Sequence, residues 1–295
     1  MTIINYTNGN AQITLDSDGT RVISFEDRLQ LDYPLNIDIK VMSKCAFGLN
    51  PKTGKSFCSF CHESATTDGK ECNYENLKLK IQDLPKGIEL AIGCNELTTN
   101  LYNFLIWCYE QEYVCNLTIN QGHINRDLNK IISVIQNKYI KGLGISYRSE
   151  LKWNVPKELL DYSNAVFHVI SGIDTVDNVL QLSEKGVNKI LVLGEKDFGF
   201  NLGKVDLTSR KHKEWFWWVG KLFNKFEVVS FDNLAIEQLN IKRFFSNDNW
   251  NTFNQGEHSF YIDAVTEEYS PSSRNAQRTK WNNLTIKEYF KIINK

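Results

Sequence analysis

"AVFHVISGIDTVDNVLQLSEKGVNKILVLG", residues 165–194, carries one complete structural unit. Its first eight residues are mostly β-branched, aromatic and apolar. A helical pattern follows over 175–186 and closes on Gly186, and 188–194 is again an apolar strand. Parallel neighbours in a sheet need a crossover, and a helix is the usual one, so strand–helix–strand at this length reads as a parallel β/α unit.

The same unit recurs on both sides. Strands are expected at 34–42 ("PLNIDIKVM"), 87–94, 113–120, 142–148 and 227–231, with helices near 99–111, 125–137, 155–162 and 209–226. The strands read as nearly continuous apolar runs, which suits a sheet covered by helices. Six or seven such units predict an α/β fold, a partial or full parallel (β/α) barrel of the TIM type, with its active site at the C-terminal ends of the strands. Residues 1–33 hold "NGN" and "SDGT" turns between short strands and predict an N-terminal β-hairpin. Residues 232–295 are less regular, with a strand at 258–265, a polar loop and a last helix near 285–293. The expected organisation is therefore 1–33, a core at 34–231, and a C-terminal extension at 232–295 that is a candidate substrate cap.

The chain has 295 residues, 42% of them hydrophobic and 23% charged, and a net charge of −1. Strong duplex-DNA binding is not expected without a basic excess. No apolar run is long enough for a membrane span, and the first residues lack a secretory pattern, so the expected compartment is the cytoplasm. There, seven cysteines are expected to be ligands, reactive thiols or core residues rather than disulfides.

Three of them crowd the loop after the first core strand, "CAFGLNPKTGKSFCSFCHESA" (45–65). Cys45 and Cys58 are separated by twelve residues, Cys58 and Cys61 by two. A zinc site is one reading, with Cys72 as a fourth ligand, and would make the chain a zinc-stabilised, non-catalytic binding protein on a barrel scaffold. Three unrelated thiols are another. An iron–sulfur cluster is the third, because thiolates hold such clusters.

The third reading carries a resemblance. A three-cysteine loop after the first strand of a β/α barrel resembles the radical S-adenosylmethionine (radical SAM) superfamily. The usual spacing there is three residues, then two, with an aromatic before the third cysteine. "CSFC" matches the second half, with Phe60 as the aromatic. The first half departs from it, as though about nine residues were inserted. "IDIK", "FCHE" and a following "DG" are similar to radical SAM proteins of bacteriophages and bacteria. The resemblance implies a 4Fe–4S cluster on Cys45, Cys58 and Cys61 with S-adenosyl-L-methionine completing the open iron. Reductive cleavage would give a 5′-deoxyadenosyl radical that takes hydrogen from a substrate. It also implies an electron donor such as flavodoxin or ferredoxin, and a small-molecule, nucleotide (or modified base) or peptide substrate.

Residue by residue, the resemblance points to Gly93, Asn95 and Glu96 for the methionine amino group and to Ser146 and Arg148 for ribose or carboxylate. Ile170 with Gly172, and Leu193 with Gly194, are its adenine neighbours. His123, ending the third strand, is a candidate substrate contact. In the C-terminal segment Tyr261 and Asp263 share a strand face. Arg274 and Arg278 lie in a serine-rich loop, expected at the surface, and suit an anionic part of the substrate. Cys108 and Cys115 read as core residues, while Cys72 and Cys94 are open to a functional role. The aromatic helix at 209–226 is expected to bury Trp215, Trp218, Leu222 and Phe226 on one stripe.

Overall fold

The computed structural model describes residues 4–16, 21–245, 257–282 and 284–294. Strands β1 (Ile4–Asn8), β2 (Ala11–Leu15) and β3 (Arg21–Ser24) form an antiparallel sheet of their own, one strand more than the expected hairpin. The "NGN" turn joins β1 to β2 by pairing Asn8 with Ala11. The "SDGT" turn at 17–20 lies outside the described residues.

The core follows as β4 (Asn36–Lys40), β5 (Lys44–Leu49), α1 (Tyr74–Ile81), β6 (Glu89–Gly93), α2 (Thr99–Glu110), β7 (Val114–Asn120), α3 (Ile124–Gln136) and β8 (Gly142–Ser146). It continues through α4 (Lys157–Leu160), β9 (Ala165–Ile170), α5 (Val176–Glu184), β10 (Lys189–Leu193), α6 (Arg210–Trp218) and β11 (Val228–Phe231). Helix α7 (Asn233–Gln238), strands β12 (Ser259–Asp263), β13 (Glu268–Ser270) and β14 (Thr279–Lys280), and helix α8 (Ile286–Ile293) complete the chain. The main sheet has ten strands in the order β11-β10-β9-β8-β7-β6-β4-β12-β13-β14. All are parallel from β11 to β12, and the last two pairs are antiparallel. No pairing among the described residues joins the edges β11 and β14. The C-terminal segment thus adds a parallel strand directly beside the first core strand, with Tyr261 opposite Asp38 and Asp263 opposite Lys40.

The core strands alternate, where the sequence reads as continuous apolar runs. Ile37, Ile39, Leu90, Ile92, Leu117 and Ile119 are fully or almost fully buried and share one core with the helices. Each such side chain stabilises the fold by about 1.5–3 kcal/mol. The residues between them, Asp38, Lys40, Asn116, Thr118, Asn120 and His168, face the other way and keep some solvent access. Gly144 makes room on that second face. A β-carbon there would stand 2.5 Å from His168 Cε1 and 2.8 Å from Thr118 Oγ1.

The two ends of the sheet differ as well. The N-terminal sheet covers the ends where strands begin: Tyr6 and Ile4 lie against Gly87, Arg21 pairs with Glu89, and Lys141 donates to the Asp16 carbonyl. The ends where strands finish are left to the loops. Helix α6 is shorter than expected, because the chain tightens into a 3₁₀ turn at Val219–Asn224. Gly220, a poor helix former, sits in that turn against the Phe244 ring. The buried stripe is Trp215, Val219, Leu222 and Phe226, while Trp218 points outward, a correction of one helical step to the expected stripe.

Candidate functional site at the C-terminal ends of the strands

Strand β4 ends at Lys40, and the chain enters β5 with Cys45 on it. Lys44 and Leu49 bridge to Thr66, and Asn50 bridges to Lys55. The chain then returns to where it left. The Phe47 carbonyl accepts from Ser56 Oγ and from the backbone N–H of Phe57 and Cys58, each at 3.2 Å, and the Phe47 and Phe57 rings lie 5.2 Å apart. Residues 48–56 are therefore a closed excursion. Across its neck only Ala46, Phe47 and Phe57 lie between Cys45 and Cys58. A tight turn, with Cys61 N–H donating to the Cys58 carbonyl at 3.1 Å, brings in the third thiol.

The three thiols are free, half-buried and within electrostatic reach of one another. Burial pushes Cys58 up to about 12, with Arg148 pulling down and Cys45 and Cys61 pushing further up. Burial also raises Cys45 and Cys61. His123 Nε2 lies 3.8 Å from Cys45 Sγ, and its ring packs on Phe47. Burial, then the Arg126 cation, lower that imidazole to about 4. Among the described residues no three His, Cys, Asp or Glu side chains converge on a point that would hold a single metal ion. A four-iron cluster asks for a different layout, since each of its thiolates binds a different iron.

Asn95 and Glu96 stand beside this loop but are already engaged. Asn95 Nδ2 donates to the Lys44 carbonyl at 2.8 Å, and Glu96 pairs with Arg126 at 3.1 Å and Lys44 at 3.7 Å. Gly93 ends β6 opposite Lys40 and Thr118. Ser146 ends β8 opposite Asn120 and His168. Arg148 is buried, and its guanidinium stacks 4.3 Å from the Phe60 ring centroid. One nitrogen donates to Glu150 at 2.6 Å, while Nε and Nη1 are buried without a hydrogen bond, Nε lying 3.7 Å from Asp174. Ile170 and Leu193 are direct cross-strand partners. The structure therefore draws Phe60, Arg148 and His123 to the thiols, with Asn95 and Glu96 on one flank.

With this geometry in place, no protein-family model matches the chain, and no curated protein matches it either.

A second group of residues escaped the sequence reading. Glu63, two positions after Cys61, accepts from Tyr261 Oη at 2.8 Å and pairs with His62 at 3.0 Å and Lys40 at 3.3 Å. Lys40 also pairs with Asp263 at 3.1 Å, and Lys196 Nζ reaches His62 Nε2 at 3.2 Å and Ser273 Oγ at 2.8 Å. Burial favours the neutral acid at Glu63, but His62, Lys40 and Lys196 outweigh it and hold the carboxyl well below the usual range. Neighbouring protein atoms raise the Asp38 carboxyl by desolvation, although the side chain is exposed to solvent. Gly199, at φ +60, lets its loop lie on the His62 carbonyl, where a β-carbon would stand 2.3 Å away. One signal for this group was legible: Lys196 follows the end of β10, where a β/α sheet carries its chemistry.

Tyr261 and Asp263 share a face, as read from the sequence. The loop after them is less exposed than expected, for Ser270 and Ser273 are buried. Arg278 stacks 4.6 Å from the Tyr261 ring and 5.5 Å from Phe198, donates to the Ser273 carbonyl at 2.8 Å, and keeps Nη1 buried without a partner. Arg274 is felt instead at Asp232. Cys72, Cys94, Cys108 and Cys115 are all buried in the core. Among the described residues no helix is long and apolar enough to cross a membrane.

Proposed function

We propose that the chain is a radical SAM enzyme on a partial (β/α) barrel, holding a 4Fe–4S cluster on Cys45, Cys58 and Cys61. The observation that carries this reading is the closed neck at Phe47. It reduces a twelve-residue spacing to three residues in space, as the resemblance requires, and explains the inserted length as an excursion. Arg148 adds a fit test: a buried guanidinium stacked on Phe60 beside Cys58, ion-paired with Glu150 and Asp174, keeps two nitrogens without a hydrogen bond, and a ligand acceptor would complete them. When bound, the cluster supplies the electron for reductive cleavage of S-adenosyl-L-methionine.

The chain's own residues do the rest. Phe60 and Phe47 keep water from the thiols. Arg148 offers its free N–H groups to a carboxylate or ribose oxygen, with Ser146 on the neighbouring strand end. Glu96, held by Arg126, and Asn95 present acceptors to an ammonium. Ile170 and Leu193 form a small apolar platform for adenine. The network of Lys40, Glu63, Tyr261, Asp263 and Lys196 forms the substrate side of the mouth, with Arg278 over it, and selects a polar or anionic substrate by charge-assisted hydrogen bonds. A nucleotide or modified base fits that chemistry, and a peptide remains the other candidate; a flavodoxin or ferredoxin would supply the electron.

Anaerobic reconstitution with iron and sulfide tests the reading. The loaded chain should be brown, bind iron and sulfide in equal amounts, and release 5′-deoxyadenosine with SAM and a reductant. Cys45→Ala, Cys58→Ala and Cys61→Ala should each lose iron, while Cys72→Ala keeps it. A colourless chain that instead carries one zinc per molecule would replace this reading with that of a zinc-stabilised binding protein.

A further inference from the structure

Helix α6 faces outward with a stripe that the thiol site does not use. Arg210, Lys213 and Trp217 recur at helical spacing and are all exposed, and the exposed Lys221 follows in the 3₁₀ turn. Trp217 is 71% and Trp218 50% exposed, values far outside the habit of a large apolar ring in a globular fold. The cations do not merely sit nearby. Lys221 Nζ lies 3.9 Å from the Trp218 ring centroid, and the Arg243 guanidinium lies 3.8 Å from that of Phe216 and 4.8 Å from that of Phe244. Phe223 joins the cluster edge-on at 5.5 Å from Phe244.

Charge gathers on the same surface. The whole chain balances 34 basic against 35 acidic residues. Segments 209–226 and 240–245 instead hold seven lysines and arginines and a single carboxylate, Glu214, already occupied by the Val176 N–H at 3.0 Å. Exposed rings interleaved with cations suit a ligand that offers flat π-faces and a regular negative backbone together. Trp, Phe and Arg alone would suit a protein partner as well, but the lysines interleaved with them are depleted at the centres of protein interfaces. A duplex hides its bases from the rings.

We infer that the outer face of α6 and the two 3₁₀ turns beside it, Val219–Asn224 and Ile241–Phe244, bind single-stranded nucleic acid. Bases stack on Trp217 and on the faces of Trp218 and Phe244 that Lys221 and Arg243 leave open, and Lys213 and Lys221 follow the phosphates. Removing the ring beneath one stacked base typically weakens such binding about fivefold to a hundredfold. The inference stands apart from the cysteine reading, since no thiol takes part in it.

The test uses the cluster-free full chain and a fluorescein-labelled oligothymidylate of about twenty nucleotides, followed by anisotropy. The single strand should bind at low salt, at least about tenfold more tightly than a duplex of equal length, and weaken steadily as salt rises. Trp217→Ala with Phe244→Ala should weaken binding about tenfold or more in a chain that still melts cooperatively, its melting temperature lowered only by the lost packing of Phe244 on Gly220. Lys213→Glu with Lys221→Glu should weaken it and flatten the salt dependence. Cys45→Ala should bind undiminished, so loss of the cysteine reading and loss of this one are separately visible. No binding at low salt, equal affinity for duplex, or full binding by the Trp217→Ala, Phe244→Ala chain overturns the inference. So does a dimer in sedimentation that the same aromatic pair dissolves while oligothymidylate fails to bind, because a second copy would then cover the face.

Discussion

On β4, Ile37 and Ile39 disappear beneath the helices, while Asp38 and Lys40 turn to the opposite face and meet Tyr261, Asp263 and Glu63. The contrast is repeated along the sheet: Leu117 and Ile119 against Thr118 and Asn120, Phe167 and Val169 against His168. A strand's period of two makes this division unavoidable once one side is covered. One face holds the fold together by burial. The other carries ionisable groups, Lys40 paired with Glu63 and Asp263 among them, and it leads to the thiol loop.

The contrast breaks most severely where a helix-side residue is truncated. Ile39→Ala should cost about 2–5 kcal/mol in urea unfolding, while iron bound per folded molecule after reconstitution stays unchanged. Loss of iron at unchanged stability would mean that the two faces do not divide the work as described.

A smaller effect belongs to the inner face. Burial holds the His168 ring down to about 4, from an ordinary 6.5. As pH falls, the unfolded chain takes up this proton first. The ring's neutral burial is therefore harmless above about pH 6.5, and stability drops between there and about 4. With solvent reaching this face, the loss is on the order of 2 kcal/mol. His123 adds a decline of the same sign, with its ring also at about 4. His168→Asn should flatten the pH dependence of unfolding free energy in that window by its own share; an unchanged slope would place the ring in a better-solvated site.

Gly144→Ala sharpens the contrast further. Its new methyl group meets His168 and Thr118, so it should cost about 1–3 kcal/mol, and the penalty should shrink when His168→Ala is present. Additive losses would mean that the ring moves aside freely. The smallest shift is expected from Arg148→Lys, which keeps a cation near Glu150 and the buried Asp174. In the cluster-free chain it should cost about 1 kcal/mol, the worth of one hydrogen bond. In the reconstituted chain the same change should weaken SAM binding measured by equilibrium dialysis.

Much of the fold was legible in the letters. Period and punctuation placed the strands and helices between 87 and 194 to within a few residues, because parallel β/α units repeat a strong pattern and helices α2 and α5 begin at recognisable caps, Thr98 and Thr175. The thiol spacing and Phe60 were likewise local signals. The break after α6 was hidden, since Gly220 costs a helix only about 1 kcal/mol and the approach of the Phe244 ring helped decide it. Strand β12 could be read, but its place beside β4 could not, because pairing between residues more than two hundred apart leaves no local trace. The closure at Phe47 spans only nine to eleven residues, yet it rests on contacts to a backbone carbonyl that the letters of the loop do not mark. The ion network from Lys40 to Lys196 and Tyr261 joins side chains that become neighbours only when the sheet has assembled, and it is burial in that assembled structure that turns scattered charges into one site.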